Sequence, residues 1–221
     1  MNNKILFNSP DFDKPIPELE QYSTPPDIAF EIIKKVNSSG NLSGKVADLG
    51  SGTGRLSIAA ALLGADVTGY EIDSEAISIS EKYSSQNNLD IKWINTAVEG
   101  IDAEFDTVIM NPPFGSQRPG ADKIFLEKAM EIATNVWTIH LSETRKFIEK
   151  IIEKNNVNRK LLNVIFNPLV WIYSTMIFDP LYPNWKTFVR ISSAFSISCV
   201  GPSLTLCKIR PFNSIVVIFV S

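Results

Sequence analysis

Apolar positions follow two alternating rhythms along the chain. Short runs rich in β-branched and aromatic residues occur at "KVADLG" (45–50), "DVTGYEID" (66–73), "IKWIN" (91–95), "FDTVIM" (105–110) and "VWTIH" (136–140), and these predict strands. Between them the spacing becomes helical. "PPDIAFEIIKKVN" (25–37) opens with prolines where a helix tolerates them, then brings Ile28, Ile32 and Val36 onto one face. "RLSIAAALLG" (55–64) predicts a helix ended by Gly64, and "SEAISISEKYSSQNN" (74–88) one with Ala76, Ile79 and Tyr83 aligned. "ADKIFLEKAMEIA" (121–133) and "SETRKFIEKIIEKN" (142–155) complete the set. Strands alternating with helices imply βαβ units, hence an α/β fold with a doubly wound, mostly parallel sheet. No internal repeat is present.

The flanks differ. Residues 1–24 are rich in Pro, Asn and Asp and read as an N-terminal arm; 25–155 form the α/β domain. Residues 1–155 hold 15 Lys+Arg and 23 Asp+Glu, a balance of −8, whereas the atypical C-terminal segment 156–221 holds 6 and 1, a balance of +5. Its apolar run "LLNVIFNPLVWIYSTMIF" (161–178) is interrupted by Asn163, Asn167 and Pro168, which argues against a membrane span. The segment reads as closing strands of the same sheet, or as a tail that has left its relatives' reading frame.

Composition narrows the function classes. A chain of 221 residues with 44% apolar content suits one soluble core. A net charge of −3 advertises no global field for nucleic acid, although a local basic face or a partner can supply one. Cys199 and Cys207 fit no metal spacing, and no signal peptide is legible at the start, so a reducing, cytoplasmic setting is expected. The single histidine, His140, excludes a His-rich metal site and argues against a Ser-His-Asp triad; no metal is expected.

The loop "DLGSGTG" (48–54) joins a strand to a helix, and Gly50, Gly52 and Gly54 allow a sharp turn and close approach to a ligand. Its G-x-G-x-G spacing is neither the dinucleotide fingerprint nor a P-loop. Asp48 precedes it and no lysine serves phosphates, which suits a ligand bearing an ammonium or sulfonium. The second strand ends in "YEID", placing Glu71, with Asp73 as alternate, to accept ribose hydroxyls; Asp73 also reads as a helix cap.

"VADLGSGTG", "VTGYEID" and "NPPF", in that order, resemble the S-adenosylmethionine-dependent methyltransferases that act on exocyclic amino groups. With "LEQYSTPPDIA" (19–29), "NPPFGSQ" (111–117), "ADKIFLEKAMEIA" and "TIH" (138–140), the chain more closely resembles, among these, the archaeal and eukaryotic ribosomal-RNA N6-adenosine methyltransferases over about residues 15–150. The resemblance implies a Rossmann-like methyltransferase fold, S-adenosylmethionine as cofactor, RNA as substrate and a small zinc-binding activator protein as partner. It also implies that Gln21, Tyr22 and Thr24 belong to an arm closing over cofactor and base. Relatives end the third strand in an Asp that holds the cofactor's adenine; here the position is Ala97, leaving Asn95 or Thr96 to substitute. A lost hydrogen bond of that kind costs about 1.5–3 kcal/mol.

On this reading Asn111 and the Pro112 carbonyl accept the two N–H bonds of the target amino group. Pro112 and Pro113 stiffen the turn, and Phe114 stacks on a base that is flipped out or unpaired. Asn111 also borders the cofactor. The competing readings are a DNA adenine or protein glutamine methyltransferase, and a catalytically silent cofactor-binding module. Arg118, Lys123, Arg145 and Lys146 read either as phosphate contacts or as a solvated face, and His140 as structural.

Overall fold

The computed structural model describes residues 3–115, 117–141, 144–154 and 162–167. Six strands form the sheet: β1 (Lys45–Leu49), β2 (Asp66–Glu71), β3 (Ile91–Asn95), β4 (Phe105–Met110), β5 (Ala133–Leu141) and β6 (Leu162–Asn167). Their order is β3-β2-β1-β4-β5-β6 and every pairing is parallel. This is the doubly wound, Rossmann-like arrangement that the alternation predicts. β6 falls inside the interrupted apolar run; the rest of the tail after Asn167 lies outside the described residues, as does Ser116 of the "NPPFGSQ" motif.

Each central strand is apolar on both sides because helices cover both faces. Along β4, Ile109 faces one core with Val46, Val67, Trp137 and Ile139, while Val108 and Met110 face another with Ala47, Leu49 and Val136. The first core is closed by α1 (Asn3–Phe7), α2 (Pro26–Ser38) and α3 (Arg55–Leu62), the second by α5 (Ala121–Ile132) and α6 (Arg145–Lys154). α2 starts at Pro26 and buries Ile28, Ala29, Ile32, Ile33 and Val36, a face set by the helical repeat. α4 (Ser74–Gln86) follows β2 and starts on the side chain of Asp73.

The N-terminal arm is not a solvated appendage. Leu6 in α1 is fully buried in the first core, and the Tyr83 hydroxyl donates to the Ile5 carbonyl at 2.6 Å. After α1 the chain runs through a 3-10 turn at Pro17–Leu19 before entering α2.

The winding reverses between β1 and β4. Leu49 is in register with both Tyr70 and Met110, so the carboxyl ends of β1, β2 and β4 lie level. The loops leaving those ends carry the glycines, Glu71 and Asn111. Ligands of open α/β sheets bind in the crevice at such a switch point. Among the described residues no helix is long and apolar enough to cross a membrane.

Candidate active site

A cleft opens at that switch point. Its floor is Asp48, Gly50, Ser51, Gly52 and Thr53 from the β1–α3 loop, its walls are Glu71 with Thr96, Ala97 and Val98 on one side and Asn111 and Pro113 on the other, and the arm crosses above it.

The glycine loop is held almost entirely by the protein's own groups. Gly50 and Ser51 donate their N–H groups to the Tyr70 carbonyl, and Gly54 to that of Ser51. Gly52 donates to Glu71 Oε2 at 2.8 Å. Gly50, Gly52 and Gly54 have φ of 67°, 55° and 85°, a region that disfavours side chains. Their close neighbours are protein groups: a Cβ on Gly50 would meet Phe125, one on Gly52 would meet Phe12, and one on Gly54 would meet Trp93. Gly54, expected at the ligand, is therefore the N-cap of α3 packed on Trp93 and is not part of the cleft lining.

Asp48 is 1% exposed. Its Oδ2 accepts from the Ser57 N–H at 3.0 Å and from the Ser57 hydroxyl at 2.7 Å, while Oδ1 is buried without a partner. Burial pushes this carboxyl up to about 7, against the pull of the Ser57 bonds. Glu71 is braced differently: Oε1 accepts from the Ile72 and Asp73 N–H groups and Oε2 from Gly52. Burial raises its carboxyl, and the three backbone donors oppose the rise.

Four side-chain atoms of the cleft residues are buried and unpartnered: Asp48 Oδ1, Ser51 Oγ, Arg55 Nε and Asn111 Oδ1. Each leaves about 1–3 kcal/mol of desolvation uncompensated. The three oxygens among them suit a ligand rich in N–H and O–H groups, and Arg55 Nε is a donor.

Asn111 follows β4 directly. Its Nδ2 donates to the Thr24 hydroxyl at 3.1 Å, which leaves Oδ1 as the free acceptor. The two prolines after it supply no donors. Pro113 lines the cleft, whereas Pro112 is buried and Phe114, half-buried, lies outside the lining. The aromatic groups at the cleft are Phe12, Tyr22, Tyr70 and Phe125.

Other expected residues act as braces. Asp73 accepts from the Glu75 N–H at 2.9 Å as the cap of α4, and from Gln21 Nε2 at 2.7 Å; it does not line the cleft. Asn95 donates to the Glu71 and Ile72 carbonyls and is likewise outside it. Thr96 reaches the wall, with its N–H on the Glu71 carbonyl. Gln21 and Thr24 line the cleft, as does Tyr22, which is 49% exposed. Of the four basic candidates, Arg118 lines it. Lys123 pairs with Glu127 at 3.7 Å. His140 is fully buried beside Thr138 on β5, and burial pushes it down to about 4.

Sequence reasoning missed Glu20 and Arg55. Arg55 ties the arm down through the Thr24 carbonyl and Asp11 Oδ2, both at 3.2 Å. Glu20 accepts from Phe114 and Gln117 backbone N–H groups. Neither partner set can be read locally; the only signal was Glu20's place inside the "LEQYSTPPDIA" motif.

The pattern of the methyltransferase small domain family matches residues 27–166. An uncharacterized protein of Methanocaldococcus jannaschii is 37% identical over 153 residues, covering 63% of this chain and 69% of its own. The rRNA N(6)-adenosine-methyltransferase of Drosophila melanogaster is 39% identical over 150 residues, 63% of this chain and 70% of that protein. Among solved structures, a Pyrococcus horikoshii protein described as a candidate RNA methyltransferase aligns with a TM-score of 0.65 and 42% identity, over 69% of this chain and 78% of its own.

Proposed function

Because the chain belongs to the methyltransferase small domain family, we propose that it methylates the N6 amino group of an adenosine in RNA, with ribosomal RNA as the substrate and S-adenosylmethionine as the donor. The observation that carries this reading is Asn111 Oδ1, a buried acceptor without a partner, fixed by a Pro-Pro turn in the same cleft as the glycine loop and Glu71. The Drosophila relative supports the substrate class.

The cleft's own polar atoms fit the donor. Asp48 Oδ1 suits its ammonium, Glu71 its ribose hydroxyls, and Thr96 with Ala97 forms the wall expected at its adenine. When bound, S-adenosylmethionine supplies an electrophilic methyl carbon. The protein's task is then alignment and polarisation. The lone pair of an adenine amino group is delocalised into the ring. Asn111 Oδ1 and the Pro112 carbonyl accept its two N–H bonds and favour a tetrahedral nitrogen with its lone pair available. As the new N–C bond would form at the expense of the donor's sulfur–methyl bond, whose electron pair would stay on sulfur as a neutral thioether, positive charge would pass to that nitrogen, and one of the two held protons would leave to solvent. No strong base is required, and the raised carboxyls of Asp48 and Glu71 serve binding.

The reading includes a small zinc-binding activator protein as partner and a cytoplasmic setting. The balance of −8 over residues 1–155 supports the need for a partner, since an acidic enzyme must borrow or localise positive charge to hold RNA.

The test is transfer of labelled methyl to ribosomal RNA, followed by nucleoside analysis for N6-methyladenosine. Asn111→Ala is expected to lose about a hundredfold or more in turnover, with calorimetric affinity for the cofactor nearly intact. Near wild-type turnover of that variant would overturn the mechanism, and methylation of a protein glutamine in place of RNA would overturn the substrate.

A further inference from the structure

Building on the role just given to Asn111, we propose that Glu20 is the positioning residue that holds the Asn-Pro-Pro-Phe turn in its working shape. Glu20 is 6% exposed and ends the 3-10 turn of the arm with φ 50° and ψ 45°. That left-handed conformation is one that residues with side chains avoid. Here it carries the Glu20 carboxylate to a loop far along the chain. Oε2 accepts the Phe114 N–H at 2.8 Å, and Oε1 accepts the Gln117 N–H at 2.8 Å.

The covalent structure of the turn explains why an outside group is needed. Pro112 and Pro113 have no N–H, so Phe114 offers the first backbone donor after Asn111. A turn that aims Asn111 Oδ1 and the Pro112 carbonyl must therefore be anchored from Phe114 onward. Glu20 takes that first donor and a second one three residues later with one rigid, bidentate group. Hydrogen bonds to a charged acceptor are about twice as strong as neutral ones. The neighbouring arm residues extend the clamp: the Thr24 hydroxyl accepts from Asn111 Nδ2 at 3.1 Å, and Gln21 Nε2 donates to Asp73 at 2.7 Å. The arm thus sets the acceptor geometry at the reacting nitrogen, and Glu20 does so through the backbone of Phe114 and Gln117.

Two variants of the full chain separate this from simple stapling. Glycine accepts the left-handed backbone and removes both acceptors; glutamine keeps one acceptor and turns an N–H₂ toward the other donor. Backbone hydrogen exchange at Phe114 and Gln117 is expected to be slow in the wild type. It should speed up about tenfold or more in Glu20→Gly, with Glu20→Gln between. In methyl transfer, kcat is expected to fall about tenfold or more in Glu20→Gly and to recover in part in Glu20→Gln. KM for RNA and cofactor affinity by calorimetry should stay within about twofold. Unchanged exchange at the two amides would overturn the inference. So would wild-type kcat, or a parallel loss of kcat and cofactor affinity. If the wild type transfers no methyl to RNA even in complex with the activator protein, the functional reading fails instead, and exchange at the two amides alone decides whether Glu20 holds the turn.

Discussion

Asp48 carries a specific pH signature. Its folded pKa of about 7 lies above the ordinary carboxylate value of 3.8, because burial disfavours the charge. The folded state therefore binds a proton more readily than the unfolded one, and Asp48's contribution to stability falls as pH rises from about 4 to about 7. A ligand ammonium reverses that preference, since it requires the carboxylate. Cofactor affinity is then expected to rise with pH between about 5.5 and 7, by up to about tenfold per pH unit. Asp48→Asn should flatten the curve. Calorimetry across that range checks this; a wild-type affinity independent of pH would detach Asp48 from the ligand. Glu71 would be a poorer reporter. Its carboxylate holds Gly52 as well as Ile72 and Asp73, so removing it disturbs the loop along with any ribose contact.

At the scale of elements, the junction of β1 and α3 depends on Gly54 for packing. Its φ is +85°, and an added Cβ would clash with the Trp93 ring. Trp93 is itself held by a bond from Nε1 to the Ser84 hydroxyl at 3.0 Å, so it cannot yield freely. Gly54→Ala is expected to cost about 1–2 kcal/mol from the backbone conformation alone, and more from the ring. Thermal unfolding measures it; a melting point within a degree of wild type would refute both the backbone cost and the tight packing on Trp93. Elements of this kind were legible because their rules are local. β1, β3 and β4 coincide with their apolar runs, and the α2 face follows from Ile28, Ile32 and Val36. β5 starts three residues before "VWTIH", at Ala133, because pairing with β4 carries polar Thr134 and Asn135 into the strand. The site was legible in part. Asp48, Glu71 and Asn111 stand at strand ends, where pattern places them. Asp73, the alternate to Glu71 that also read as a helix cap, and Asn95, the alternate to Thr96, both turn to braces, and which carboxylate faces a cleft is decided by contacts some 20–50 residues away. The partners of Glu20, 94 and 97 positions away, were hidden for the same reason.

For the whole molecule, the question is how an acidic surface meets a polyanion. Residues 1–155 carry −8, and the cleft itself holds Glu18, Glu20, Asp48, Glu71 and Glu99 against Arg55 and Arg118. A partner that binds only the folded chain stabilises it by about 2.7 kcal/mol at a hundredfold excess over Kd. For a chain of this size that is roughly 5–10 °C in Tm. Co-expression with a small zinc-binding activator protein is expected to produce such a shift, with RNA methylation appearing in the complex. Full activity of the isolated chain with no change in Tm would remove the partner from the account. The arm, finally, makes the enzyme's maturation a matter of timing. Glu20 precedes its two backbone partners by 94 and 97 positions. At about 5–20 residues per second, synthesis leaves that carboxylate waiting roughly 5–20 s before Gln117 exists to receive it. The segment made first is seated late, so the nascent chain stays unable to aim Asn111 until β1 to β4, four of the six strands, have been made.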